Sequence, residues 1–186
     1  MNTLLPHAPN PFFILLSFSP PILSIIHQAQ IQSYLSTAMI HTAITDSPID
    51  INHWIQWAKH PHAGAVIYFG GITRDSFQGL HVASLSYEAY IPRAEKTLAE
   101  IASSVATREG IQKVVIIHRI GQVPLSEESV CIVVAASHRQ QGWDAAQEIL
   151  EMVKSRTEIW KREVYSDGST NWVEGVPRDC CRHALP

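Results

Sequence analysis

Residues 113–137 read KVVIIHRIGQVPLSEESVCIVVAAS, two dense apolar runs (113–120 and 129–137) separated by a polar turn containing Gly121 and Pro124. Each run is rich in β-branched residues and too short for a typical helix, so both are strands. With so short a connection, they pair antiparallel. Upstream, residues 63–70 (AGAVIYFG) form another buried strand, and a polar turn follows at 73–79. Residues 81–87 then alternate Ala83, Leu85 and Tyr87 against Val82, Ser84 and Ser86, the period of a strand.

Helical spacing fills the gaps. Asp50 caps a short helix with Ile51, Trp54, Ile55 and Ala58 on one face, and Pro61 lies just past its end. Pro92 opens a second helix whose stripe is Ala94, Leu98, Ile101 and Val105, with Gly110 as its stop. A third runs from about Trp143 to Arg156, with Ala146, Ile149, Leu150 and Val153 inward. The chain closes with a hairpin, Ile159 to Tyr165 and Thr170 to Val173 around the turn Ser166-Asp167-Gly168-Ser169. The expected class is α+β, an antiparallel sheet with helices packed on one side plus a C-terminal hairpin.

At 186 residues the chain has room for one domain and a short appendage. Hydrophobic residues make up 46% and charged residues 17%, which excludes a wholly disordered chain, a collagen-like repeat and a coiled coil. A formal charge of -3 leaves no global basic field to gather nucleic acid. The charge deficit is local: residues 1–45 contain no Asp, Glu, Lys or Arg, yet hold five of the eleven prolines. This stretch lacks the positive n-region of a signal peptide, and Pro20-Pro21 breaks its apolar run. Residues 1–39 are therefore expected to be an extension, disordered or absent from the mature protein, with Met39 as an alternative initiator. The domain is expected at 40–176 and a tail at 177–186. No membrane association is expected. Three cysteines, Cys131, Cys180 and Cys181, make no disulfide framework, so a reducing, cytoplasmic setting is expected.

No dinucleotide fingerprint, phosphate loop, nucleophile elbow or CxxC pair is present. His60 and His62 lack a third metal ligand, and Cys131 reads as a core residue. The informative groups sit at strand ends and turns: Arg74, the pair His138-Arg139, Lys154 in the last turn of the third helix, and Lys161 in the hairpin. Cations converging from separate elements suit an anionic ligand, phosphate above all. Each also has an innocent reading. Lys154 complements a helix C-terminus, Lys161 faces solvent, Arg74 occupies a turn and His138 caps a strand. Spacing alone leaves both readings open.

The segments FGGITR (69–74), LSYEAY (85–90), IHRIG (117–121), SHR (137–139) and Lys154 followed by IWKRE (159–163) stand in a specific order. On these residues the chain resembles the large, catalytic subunits of molybdopterin synthase over about residues 63–172. The resemblance implies an α/β-hammerhead fold and a sulfurtransferase with no metal and no organic cofactor. Its substrate would be cyclic pyranopterin monophosphate, and its partner a small ubiquitin-like subunit bearing a C-terminal thiocarboxylate. Two large subunits would pair within a heterotetramer. The implied catalytic residues are Lys154 and Lys161, with pKa values depressed by neighbouring cations. The implied substrate-binding residues are His138, Arg139, Arg74, Lys154, Lys161, Arg162 and Glu163. His118 and Arg119 read as structural. A non-catalytic adaptor that binds a ubiquitin-like tail is the alternative.

Overall fold

The structure, a computed structural model, describes residues 39–77 and 79–173. Residues 1–38 and the expected tail, with Arg178, Cys180 and Cys181, lie outside the described residues. The elements run β1 (Met39–Thr45), α1 (Ile51–Ala58), β2 (Ala65–Ile72), β3 (Ser76–Phe77), β4 (Leu80–Ala89), α2 (Ile91–Ala106) and β5 (Ile111–Arg119). They continue with β6 (Gly121–Pro124), β7 (Glu128–Ala136), α3 (Arg139–Arg156), β8 (Ile159–Tyr165) and β9 (Thr170–Val173).

Two sheets share the work. The first has the order β1-β5-β7-β2, and its centre is the antiparallel pair β5/β7, with Val115 opposite Val133 and Ile117 opposite Cys131. The second has the order β3-β4-β8-β9, with β6 also on β4. The α+β class therefore holds, and three details add to it. β1 was not foreseen in sequence, and it pairs parallel with β5, Met39 opposite Lys113. β3 and β6 fall in segments read as turns. α3 starts at Arg139, four residues before the expected start.

β5 and β7 are buried on both faces, which is why their sequences are almost unbroken in apolar residues. Val114, Ile116, Ile132 and Val134 pack towards Leu98 and Ile101 of α2 and Ile149 of α3. On the opposite face Val115, Ile117, Cys131 and Val133 meet Ala58, with Trp54 and Trp57 packed beside them. The two long helices lie on one side as expected, and short α1 covers the other. The Asp50 carboxylate accepts from the His53 amide at 3.0 Å and fixes the start of α1.

Ile120 alone separates β5 from β6, so the chain passes directly from the first sheet into the second. Gly121 makes that step with φ at +76°, a conformation that favours glycine. α3 then returns over the first sheet and ends at Arg156, two residues before β8. That arrangement brings the C-terminal end of a helix, the end of β5 and one face of β8 around a common space.

Candidate functional site

That space is a cleft of about 680 Å³, the size of a small-molecule site. Register builds one wall: β4 and β8 place Tyr87 opposite Lys161 and Leu85 opposite Glu163, so these four side chains share a face. α3 supplies Lys154 from its last turn, beside buried Val153. Arg74 enters from the loop after β2, where the Thr73 amide donates to the Glu127 carbonyl at 3.1 Å. His118 enters from the end of β5.

Among the described residues, the charged groups lining this cleft are Arg74, Lys154, Lys161 and Glu163. Three cations face one carboxylate, an excess of two positive charges for an anionic occupant. Among the described residues neither Arg74 nor Lys154 forms an ion pair, so both guanidinium and ammonium are available to a ligand. Lys161 is held. Its Nζ lies 3.3 Å from Oε1 of Glu163, and 5.7 Å from the centre of the Phe77 ring. Its nearest charged neighbour is thus a carboxylate, whereas the sequence reading surrounded it with cations. Glu163 is 2% exposed, and the Tyr165 hydroxyl donates to its Oε2 at 2.7 Å. That hydrogen bond raises the pKa of the Tyr165 phenol, with burial adding to it.

Deeper in, Tyr87 donates to Ser129 Oγ at 3.1 Å, and Ser129 donates to the Gly71 carbonyl at 3.1 Å. Burial pushes the Tyr87 phenol up, so it remains a donor at neutral pH. His118 is 7% exposed, and its ring meets that of Tyr87 edge-on at 5.2 Å.

The structure gathers Arg74, Lys154, Lys161 and Glu163, and it leaves three expected site residues elsewhere. His138 and Arg139 are exposed at the N-terminal end of α3. Arg139 and Lys154 stand fifteen helical positions apart, roughly 22 Å along the axis. A single chain therefore does not join them to the cleft. Arg162 alternates to the other face of β8, where its guanidinium carbon sits 5.2 Å from the Trp172 ring centre. Conversely, Tyr87, Ser129 and His118 were given no site role in sequence. The alternation of β4 and its register with β8 is the signal that finds Tyr87, and it needs the pairing partner to be known.

The other candidates stay bland. His60 and His62 rings lie 5.4 Å apart, and no group of three or more potential metal ligands occurs among the described residues. Cys131 is fully buried, and burial pushes its thiol up to about 12, which makes it inert as a nucleophile. Among the described residues no helix is long and apolar enough to cross a membrane.

Known proteins agree with this architecture. The MoaE protein family profile matches residues 44–156. The molybdopterin synthase catalytic subunit of Aspergillus clavatus is 43% identical over 143 residues, covering 77% of this chain and 72% of that protein. The solved molybdopterin synthase of Staphylococcus aureus superposes with a TM-score of 0.66 at 33% identity, covering 70% of this chain and 95% of that one. A Helicobacter pylori complex of subunits 1 and 2 of molybdopterin-converting factor shares the fold at 18% identity and a TM-score of 0.60, covering 72% of this chain and 90% of that one. With a profile match that spans most of both sheets and a relative of this identity, the chain belongs to the MoaE protein family, that of the catalytic subunits of molybdopterin synthase.

Proposed function

We propose that this chain transfers sulfur from the C-terminal thiocarboxylate of a small ubiquitin-like subunit to cyclic pyranopterin monophosphate, building the dithiolene of molybdopterin. The observation that carries this reading is the charge of the cleft, three cations against one buried carboxylate among the described residues. A cyclic phosphate and a thiocarboxylate each bring one negative charge, and two such anions repel unless fixed cations neutralise both. An excess of two positive charges matches that pair.

Lys154 and Lys161 are the catalytic pair of this reading. One ammonium transfers protons as the cyclic phosphate opens, and the other stabilises the carboxylate left on the partner once its sulfur has bonded to the substrate and water has cleaved the acyl C–S bond. Glu163 holds Lys161 at 3.3 Å and so fixes where that ammonium can act. Arg74 binds the phosphate or the partner's terminus. His138 and Arg139 keep a substrate role only by reaching the cleft of a second copy of the chain, which makes the large-subunit dimer part of the site. Arg162 braces Trp172 and serves the cleft indirectly. The setting of this reaction is cytoplasmic, within a heterotetramer, and residues 1–38 take no part in it.

Mixing the full chain with thiocarboxylated partner and cyclic pyranopterin monophosphate tests the reading. Formation of the dithiolene product is expected. Partner binding without product identifies an adaptor instead, and neither binding nor product defeats the reading outright.

A further inference from the structure

The cations that fill this cleft can donate hydrogen bonds but cannot accept them. They read a phosphate or a carboxylate, and they are blind to the ring N–H groups of a nitrogen heterocycle. Two of the cleft's acceptors are already engaged: Glu163 receives Lys161 and Tyr165, and Ser129 Oγ receives Tyr87.

His118 is different. Its Nδ1 lies 2.9 Å from the Arg119 carbonyl oxygen, which only accepts, so Nδ1 carries the ring proton. Nε2 is then a bare lone pair, and it has no hydrogen-bond partner among the described residues. A residue that lines the cleft therefore keeps an unpaired acceptor. The edge-on Tyr87 ring and the backbone anchor leave the imidazole little freedom to turn away.

We propose that His118 is a specificity-determining residue of this cleft, its Nε2 accepting a hydrogen bond from a ring N–H of the heterocyclic substrate. The assignment rests on the sulfur-transfer reading for the identity of that substrate. Burial supports it by lowering the imidazole to about 4, which keeps Nε2 unprotonated at neutral pH. A protonated ring would offer only a donor and reject the same ligand.

Two substitutions separate this role from a structural one. His118→Asn keeps an N–H that can reach the Arg119 carbonyl and removes the acceptor. His118→Gln carries an acceptor oxygen out to the position of Nε2 and gives up the anchor. With cyclic pyranopterin monophosphate titrated into the full chain, His118→Asn is expected to weaken binding about tenfold, with His118→Gln closer to wild type. In turnover the loss appears in KM for the precursor, with kcat and partner affinity nearly unchanged. The opposite order, Asn near wild type and Gln impaired, overturns the proposal and makes His118 a backbone anchor. Should both variants fail to fold, the 15N resonance of Nε2 in the wild-type chain decides. It moves towards the hydrogen-bonded range when precursor is added, and an unmoved resonance overturns the proposal. A wild type that binds precursor through Nε2 and yet forms no dithiolene refutes the sulfur-transfer reading and leaves His118 as assigned, whereas no precursor binding refutes both.

Discussion

Lys154 and Lys161 stand seven positions apart in sequence, one ending a helix and the other inside a strand, and both line one cleft. Lys154 is exposed and forms no ion pair among the described residues, whereas the Lys161 ammonium balances the buried Glu163 carboxylate. Replacing either with alanine is expected to lower turnover by about a hundredfold or more, the usual worth of a positioned acid–base group, with the melting temperature held for Lys154→Ala and lowered for Lys161→Ala, which leaves a buried carboxylate without its cation. Single-turnover kinetics alongside calorimetry checks both halves of that expectation. His118 behaves otherwise, because its environment is part of the fold. Burial lowers its pKa from 6.5 to about 4, so the unfolded chain takes up this proton before the folded one does. The resulting stability is full above pH 6.5, is lost as the pH falls towards about 4, and amounts to roughly 3 kcal/mol at about 1.4 kcal/mol per pH unit. Urea midpoints measured between about pH 8 and about pH 4 should show this loss in wild type and a flatter dependence in His118→Asn. At this scale the resemblance singled out Lys154 and Lys161, but the sequence could not show that they meet. Arg162, beside Lys161 in sequence, faces away because strand side chains alternate.

Elements were legible where one periodicity dominates. The hairpin β8/β9, the strands β5 and β7 and the short helix α1 fall close to where apolar spacing and turn residues placed them. β1 escaped because its residues face partly buried surroundings on both sides, so MIHTAIT shows no clean polar alternation. Its partner β5 is reached only after two helices and three strands, a parallel pairing that no local pattern announces. The early start of α3 has a physical cause in Gln141, whose side-chain oxygen accepts from the His138 amide at 3.2 Å and extends the helix back. Close by, Gly142 lets α3 lie on β2. A Cβ there would meet Ile67 Cγ1 at 2.7 Å and Ala136 Cβ at 3.5 Å. Alanine would raise helix propensity by about 1 kcal/mol, whereas overpacking so tight a contact costs about 1–3 kcal/mol. Packing wins, because Ile67 Cγ1 is near the backbone and cannot swing aside. Gly142→Ala is therefore expected to lower the melting temperature by a few degrees and, by shifting the helix that carries Lys154, to reduce turnover as well.

At the scale of the whole molecule, the unresolved demand of the site is distance. Arg74, Lys154, Lys161 and Glu163 share a cleft, whereas His138 and Arg139 lie about 22 Å away along the same rigid helix. A helix packed against a sheet by Ala145, Ala146, Ile149 and Val153 cannot bend its two ends together. If both ends act on one substrate, they belong to different copies, and a two-fold dimer supplies the pairing twice. Complementation reads this directly. A Lys154→Ala chain keeps its His138-Arg139 end, and an Arg139→Ala chain keeps its lysine cleft, so each alone forms only defective sites. Mixed dimers place the intact cleft of one chain against the intact helix end of the other. Unfolding and refolding the two variants together is expected to restore part of the activity that neither shows alone. Activity that stays at the sum of the two separate variants would mean that His138 and Arg139 serve no cleft in either copy. Their exposed positions would then be explained by the helix start alone.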